Sequence, residues 1–284
     1  MAEQAGGGPA VRENPVAQSL KYAILLVGAV IVMLPMYLTA TLSFKTQAES
    51  AKSFFSLPSG LYMGNFAEVV KGKFWIHMAN SLTITVVSML FIMILVPMVS
   101  FAISRNFRHR YFKFVFYFIL SGIFIPFQVI MLPVLKHMSG LHLLNQAGLI
   151  LMYIALSLTQ GIFLSVGFLK NVPLELDEAS TIDGCTVGQT FVRIIYPLML
   201  PIIVTIVTLN CLWIWNDFQL PLILLNRSPN YWTLPLFIYN FKTDYGFDYN
   251  KAFAGFFLTM LPIIVLYGFM QRYIIGGLTE GALK

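Results

Sequence analysis

The sequence predicts an all-α integral membrane protein with six transmembrane helices and both termini in the cytoplasm. Its composition is 58% hydrophobic and only 11% charged, whereas soluble domains average about 25% charged residues. The charged residues are spaced so that long intervals contain none: 22–44, 74–104, 114–135, 137–169, 194–216 and 252–271. Each interval reaches the roughly 20 residues that a helix needs to cross the hydrocarbon, so we assign one span to each.

The first span follows a polar, Gly-rich tail. We assign residues 1–20 to this tail and 21–43 to span one. Because the apolar run is longer than the h-region of a signal peptide, we expect the span to remain in the mature protein. An external loop over 44–73 leads to a core over 74–275 that contains spans two to six, and residues 276–284 form a second cytoplasmic tail.

The orientation rests on the short link after span two. This link carries Arg105, Arg108, Arg110 and Lys113, and such a dense basic loop belongs on the cytoplasmic side of the membrane. The segment 171–196 is then cytoplasmic, and the aromatic-rich loop 226–251 is external. The remaining basic residues are divided almost evenly between the two sides, so the orientation depends on this link.

No motif for catalysis or nucleotide binding is present in the sequence. There is no G-x-x-x-x-G-K-[ST] loop, and the four His are scattered without metal-ligand spacing. The net charge of +6 suits anionic lipid headgroups, because the basic residues are not interleaved with aromatic residues as nucleic-acid binding requires. We expect contact with membrane lipid, and no catalytic residue, bound metal, bound cofactor or nucleic acid.

A charged, amphipathic insert separates spans four and five. Acids at 175, 177 and 178 suit the positive end of a helix dipole, and Asp183-Gly184 supplies a stop after about ten residues. Thr186 and Gln189 then have capping-box spacing, which predicts a second helix that Pro197 and Pro201 bend into span five.

The charge of this insert indicates its partner. Residues 175–184 hold four acids and no base, whereas a helix resting on lipid headgroups is rich in Lys and Arg. The pattern favours docking into a basic groove on another protein over the alternative of lying on the membrane surface.

The insert resembles the Glu-Ala-Ala loop of ABC importer permeases. The pattern aligns with Glu178, Ala179, Ser180, Gly184, Ile194 and Pro197, and the spacing fits throughout. Ser180 in place of the second Ala and Tyr196 in place of Leu depart from the pattern. The resemblance implies the type I ABC importer fold and assigns these six residues to coupling with an ATPase.

Further pieces resemble the six-helix, shorter permease of maltose-type sugar importers. They are Asn80-Ser81, SFAISRNFRHR, WNDFQLPL, TLPL and the tail GLTEGALK. The resemblance implies a second permease forming a heterodimer, two ATPase subunits that use ATP and Mg, and an extracytoplasmic solute-binding protein that meets loop 226–251. It also implies a bacterial or archaeal cell membrane, a sugar or oligosaccharide substrate, and ATPase contact by Gly277, Leu278, Thr279 and Gly281.

Polar residues within the spans are candidates for a substrate pathway. They are Asn210, Trp213, Asn216, Asp217, Gln128 and Gln160, with Trp215 and Gln219 nearby. Amides and an indole suit the hydroxyls and the apolar face of a sugar. The alternatives are an interfacial aromatic belt and hydrogen bonds between helices.

Two other classes of membrane protein compete with this interpretation. An ion-coupled secondary transporter of a small polar solute needs several intramembrane ionisable residues, whereas Asp217 is the one acid near a span. A membrane enzyme needs a cluster of His, Asp or Glu at one depth, and the sequence does not indicate one.

Overall fold

The structure is a computed structural model that describes residues 15–243 and 246–282, with side chains described for 16, 18–241 and 248–268. The described chain is almost entirely helical, with one two-residue antiparallel hairpin. The helices are α1 (Pro15–Ser43), α2 (Gln47–Lys52), α3 (Gly64–Lys71), α4 (Phe74–Arg105), α5 (Arg110–Ser121), α6 (Phe127–Gly140), α7 (Gln146–Leu169), α8 (Glu175–Ile182), α9 (Val187–Thr190), α10 (Tyr196–Leu198), α11 (Leu200–Asn216), α12 (Gln219–Leu225), α13 (Leu234–Tyr239) and α14 (Tyr249–Ala282). Short 3₁₀ turns cover Gly122–Phe124 and Pro229–Tyr231, a π-helix covers Phe191–Ile195, and the strands are β1 (Lys242–Thr243) and β2 (Gly246–Phe247).

Four helices in the described chain are long and apolar enough to cross a membrane: α1, α4, α7 and α14. Two further spans are bent pairs. Arg110–Phe124 and Phe127–Gly140 meet at 107°, and Val187–Leu198 and Leu200–Asn216 meet at 71°. The sequence predicted one span over 114–135 and one over 194–216, without a break inside the first. The count of six is reached when each bent pair is one span.

Proline chemistry accounts for both breaks. Ile125 is extended, with φ −95° and ψ 109°, as expected for a residue that precedes proline, and Pro126 is the N-cap of α6. Pro201 lies in the first turn of α11, where its missing N–H costs nothing, but its ring prevents the preceding helix from continuing without a bend. The π-helix before it marks the same disruption of the helical ladder.

The centre of the molecule is the contact between α4 and α7. Ile84, Ile92 and Val96 of α4 form one buried cluster with Leu149 and Met152 of α7. Gly161 allows the two helices to approach, because a Cβ there would lie 2.9 Å from Val96 Cγ2. Small residues at helix contacts are the usual means of close packing in membranes.

A polar cap ties the end of α1 to the start of α14. The Asn250 amide donates to the carbonyls of Leu42 and Lys45, at 2.9 and 3.0 Å. The Asn65 amide donates to the carbonyls of Ser43 and Lys45, at 2.9 and 2.8 Å. Most of α1 before this cap is exposed, so its contacts with the rest of the chain concentrate at its last turns.

Glu49 organises the surface of this cap. It completes a capping box with Thr46 and accepts a hydrogen bond from the Ser59 hydroxyl. The Ser59 hydroxyl contributes most to lowering the pKa of Glu49 from 4.5 to about 2, with further bonds from the Thr46 and Ser59 amides. Because the folded pKa is depressed, the stabilisation is present above about pH 4.5 and is lost as the pH falls towards 2.

We predict that Glu49→Gln removes this pH dependence. In the unchanged chain, protection of residues 46–59 from hydrogen exchange should fall as the pH is lowered from about 4.5 to 2. In the variant, protection should be lower at neutral pH and should respond little to acid. The two proteins are compared at each pH, so the intrinsic exchange rate cancels. Equal pH dependence in both would contradict the role of Glu49.

Candidate functional site

The insert between α7 and α11 begins as the short helix and turn that the sequence predicts. Helix α8 covers eight residues, Glu175–Ile182, instead of the ten expected. Gly184 follows with φ +80°, the left-handed conformation that favours glycine. The Cys185 N–H bonds to Ser180 O at 2.9 Å and the Gly184 N–H to Thr181 O at 3.0 Å, which together form a Schellman motif.

A second helix starts directly after this turn. Thr186 and Gln189 make both bonds of a capping box, as predicted. The buried hydroxyls of Ser180 and Thr190 lie 2.7 Å apart and are hydrogen-bonded, so α8 is joined to α9 by side chains as well as by the turn. This bond explains why a serine suits position 180, since alanine there would leave the Thr190 hydroxyl without this partner.

The insert is packed against the spans through its last part. Ile195 and Met199 are fully buried and share a cluster with Phe101 of α4 and Leu169 of α7. Ile194 is half-buried beside the same cluster, whereas Pro197 is exposed. Movement of the insert must therefore displace residues that α4 and α7 also contact, because packed side chains transmit strain.

An ion pair provides a second connection between the insert and α4. Arg105, the last residue of α4, lies 2.8 Å through Nη2 from Asp177 Oδ2 of α8. Its Nη1 also donates to Val172 O at 3.2 Å. The two side chains are 11% and 24% exposed, so the pair is better shielded from water than a surface salt bridge.

The outer face of the insert has no packing partner in the described chain. Glu175, Glu178 and Ala179 are exposed, and the apolar side chains of Ile182 and Val187 are 86% and 75% exposed. We call these five residues the coupling surface. Acidic groups beside bare apolar side chains suit a basic groove with apolar pockets on a protein.

The structure brings several of the predicted pathway residues together at the end of α11. The Asp217 carboxylate accepts the Tyr153 hydroxyl of α7 at 2.9 Å and the N–H groups of Gln219 and Leu220 at 3.1 and 3.3 Å. It therefore fixes the start of α12 against α7. The Trp213 ring lies 5.4 Å from the Tyr153 ring, edge to face.

Exposed amides extend this cluster on one side. Gln128 Nε2 of α6 donates to Gln219 Oε1 at 3.2 Å, and both side chains are exposed. Asn216 is exposed as well, while its amide bonds to Leu212 O at 2.8 Å. Exposed amides at the ends of apolar helices require water or a partner protein rather than lipid.

Two predicted pathway residues lie apart from this cluster. Asn210 is only 3% exposed, and its amide donates to Ile206 O of its own helix at 2.9 Å. Gln160 is exposed on α7, two turns from Tyr153, or about 10 Å along the helix. The predicted ATPase contacts Gly277, Leu278, Thr279 and Gly281 fall in the last turns of α14, where side chains lie outside the described residues.

Sequence reasoning missed two residues of these sites. Arg105 was used only to set the orientation, although a lone Arg in the last turn of an apolar span is a signal that a carboxylate lies nearby. Tyr153 carried no signal, because a Tyr within an apolar helix is usually read as packing. Only the contact between α7 and the end of α11 pairs it with Asp217.

Comparison with known proteins assigns the family. Residues 56–279 match the family described as binding-protein-dependent transport system inner membrane component. The chain belongs to this family. This permease is 39% identical to the multiple sugar-binding transport system permease protein MsmG of Streptococcus mutans serotype c. The match covers 96% of this chain and 99% of MsmG.

Two further likenesses support the same fold. The permease is 34% identical to the probable starch degradation products transport system permease protein AmyC of Thermoanaerobacterium thermosulfurigenes, over 93% of this chain and 97% of that one. A chain from the crystal structure of a bacterial ABC transporter involved in the import of the acidic polysaccharide alginate matches with a TM-score of 0.80 and 21% identity, over 94% of this permease and 99% of that chain. At that identity the likeness shows the fold alone.

These findings confirm the all-α membrane fold and the family predicted from sequence, and the cytoplasmic position of both termini stays a prediction. The permease has the type I ABC importer fold and is a multi-pass membrane protein, and its relatives are named as transport components rather than enzymes. The family favours binding-protein-dependent transport over the ion-coupled alternative.

We predict that Asp177→Asn loosens α8, because it leaves the shielded guanidinium of Arg105 without its counter-ion. Losing the partner of such a group costs about 1–3 kcal/mol, so exchange protection of α8 should fall by about fivefold to 150-fold. Glu175→Gln, at an exposed acid in the first turn of the same helix, is the matched control for the loss of one charge near the helix dipole and should lower protection less than Asp177→Asn does. Restored protection in the double variant Arg105→Asp with Asp177→Arg would identify the charge pair as the cause, and unchanged protection in Asp177→Asn would contradict it.

Proposed function

We propose that this permease is the transmembrane subunit of an ATP-driven, binding-protein-dependent importer of sugars, with oligosaccharides as the favoured class. The relatives named for multiple sugars and for starch degradation products support this substrate class. The observation that carries the ATP-driven part is the coupling surface, an exposed acidic and apolar face on an insert that is otherwise bonded and packed into the spans.

The coupling surface docks on a partner ATPase in this proposal. Two ATPase subunits bind ATP and Mg, and one of them accepts Glu178 in a basic groove, where Ala179 allows close approach. Residues 277–281 add a second contact with the ATPase dimer. Both termini and the insert then lie on the cytoplasmic side, as the basic link after α4 indicates.

Two routes carry the movement of the insert into the membrane. One is the Arg105–Asp177 pair, which joins α8 to the end of α4. The other is the π-helix and the bend of 71° at the start of α11. Closure of the ATPase dimer on ATP would reorient these helices from inward-facing to outward-facing, and a preference of about 5.5 kcal/mol between the two states gives an almost complete shift.

A second permease completes the pathway. The exposed amides of Gln128 and Gln219 are bonded to each other, and Asn216 is exposed at the nearby end of α11. These amides need either water or a partner there. We place the substrate path along this side, with Trp213, 41% exposed, offering its indole to the apolar face of a sugar. An extracytoplasmic solute-binding protein delivers the sugar at loop 226–251, in the cell membrane of a bacterium or archaeon.

The coupling proposal is tested by reversing one charge. Glu178→Lys should abolish stimulation of ATP hydrolysis by the sugar-loaded binding protein and reduce uptake at least about tenfold, since the exposed carboxylate is replaced by a charge that a basic groove repels. Asp183→Lys makes the same reversal roughly 140° around the helix and should retain both activities. Co-purification of the ATPase verifies assembly of each variant.

Two results would count against this assignment. Full coupled uptake by the Glu178→Lys variant would contradict the proposed role of Glu178 in docking. Equal loss in Glu178→Lys and Asp183→Lys would indicate a general effect of charge on the insert. Gly184→Val adds a third probe, because valine at φ +80° is strained and should disturb the angle between α8 and α9, uncoupling hydrolysis from uptake.

The pathway proposal is tested by thiol labelling in a variant without native cysteine. Asn216→Cys and Gln128→Cys should react with a charged, membrane-impermeant methanethiosulfonate and should be protected by sugar during turnover. Asn210→Cys, at a buried position, and Val86→Cys, 52% exposed on α4, are the controls and should stay unreactive. Unreactive thiols at both 216 and 128 in every transport state would place these amides against a partner helix instead.

A further inference from the structure

The segment after α2 folds back along α1. The Tyr37 hydroxyl donates to Phe55 O at 2.6 Å, which fixes this part of the segment beside a residue of the first span. Counting the roughly 20 residues of a hydrocarbon crossing from Lys21 places the far boundary near Thr41. Tyr37 lies about 6 Å inside that boundary at 1.5 Å per residue, so its bond holds the Phe55 carbonyl at the edge of the hydrocarbon.

The irregular backbone of this segment is supplied with internal donors. Lys45 Nζ donates to the carbonyls of Ser53 and Phe54 at 3.0 and 3.3 Å and to Ser56 Oγ at 3.1 Å. With the Tyr37 bond, three consecutive carbonyls each receive a side-chain donor. Non-helical backbone at membrane depth requires such partners, because lipid offers none. In water the same carbonyls would be solvated without burying a lysine.

The apolar side chains of the segment are exposed. Phe55 is 62% and Leu57 73% exposed, and Phe54, 40% exposed, packs edge to face against Tyr249 at the start of α14. No charged residue occurs from 53 to 67. An apolar cleft of about 490 Å³ between α1 and α14, lined in part by Tyr37, Met36 and Met260, lies next to this segment.

We propose that Phe54, Phe55 and Leu57 form a lipid anchor, inserted among the acyl chains of the leaflet on the cap side and held there by Lys45 and Tyr37. A lipid occupant fits this segment, because residues 53–67 offer no charge with which a soluble partner could pair. The anchor is continuous with the exposed apolar face of α1. It sets the depth of the polar cap, and so of the ends of α1 and α14, relative to the bilayer. The proposal is independent of the substrate and of the ATPase.

The test measures the surroundings of single nitroxide labels in the full transporter. The background is Cys185→Ser with Cys211→Ala, and the labelled positions are Phe55→Cys and Leu57→Cys, in vesicles of phosphatidylethanolamine and phosphatidylglycerol. Val30→Cys, 62% exposed in the middle of α1, is the lipid-side control, and Lys52→Cys, exposed at the end of α2, is the water-side control. Collision rates with oxygen and with a water-soluble nickel chelate are compared at the four positions.

Labels at 55 and 57 should resemble the label at 30, with collision with the nickel chelate several-fold lower than at 52. Labels that resemble the one at 52 would overturn the anchor. Labels exposed to water until a binding protein is added would overturn it too, and would assign the surface to that protein. Tyr37→Phe removes only the bond to Phe55 and should raise nickel accessibility at 55 while leaving the label at 30 unchanged, whereas no change at 55 would overturn the role of Tyr37.

Discussion

The absence of water in the hydrocarbon, where each backbone N–H and C=O must find a partner within the protein, is the constraint on which this structure depends. The long spans satisfy it internally. Polar side chains within them bond to their own helix, as Thr205 does with Pro201 O, Thr208 with Val204 O and Thr259 with Gly255 O. Where a helix ends near the membrane, a polar side chain takes over: the half-buried Asp217 at the start of α12 and the buried Lys45 beside residues 53–56.

Helix α4 connects the two sides of the molecule under the same constraint. At its first turns, Asn80 donates to Trp232 O at 3.1 Å and Ser81 accepts from the Leu234 N–H at 2.9 Å. At its last residue, Arg105 holds α8. One continuous helix is therefore bonded to the aromatic-rich loop after α12 and to the insert that carries the coupling surface. A rigid connection between these loops suits a transporter in which events on the two faces must be linked.

Sequence reasoning succeeded where structure follows from neighbours along the chain. The helix, the glycine turn and the capping box of the insert need only residues 175–190, and each was found. It was less successful with the spans around Pro126 and Pro201. Charge-free length predicts that a segment lies in the membrane, but a proline's effect on direction depends on what surrounds it. The bend into span five was therefore predicted without its angle of 71°, and the break of 107° at Pro126 was not predicted.

The sequence by itself determined the class of the protein, its six apolar segments and the form of the insert, because composition and local periodicity fix these. The tertiary structure decided which partner each polar side chain takes. Arg105 meets Asp177 across 72 residues and Tyr153 meets Asp217 across 64, and no local pattern predicts either pair. Asn210 bonds its own helix, whereas the Gln128 and Gln219 amides remain exposed. The packing of α4, α7 and α11 makes that distinction, because it determines which polar groups are buried.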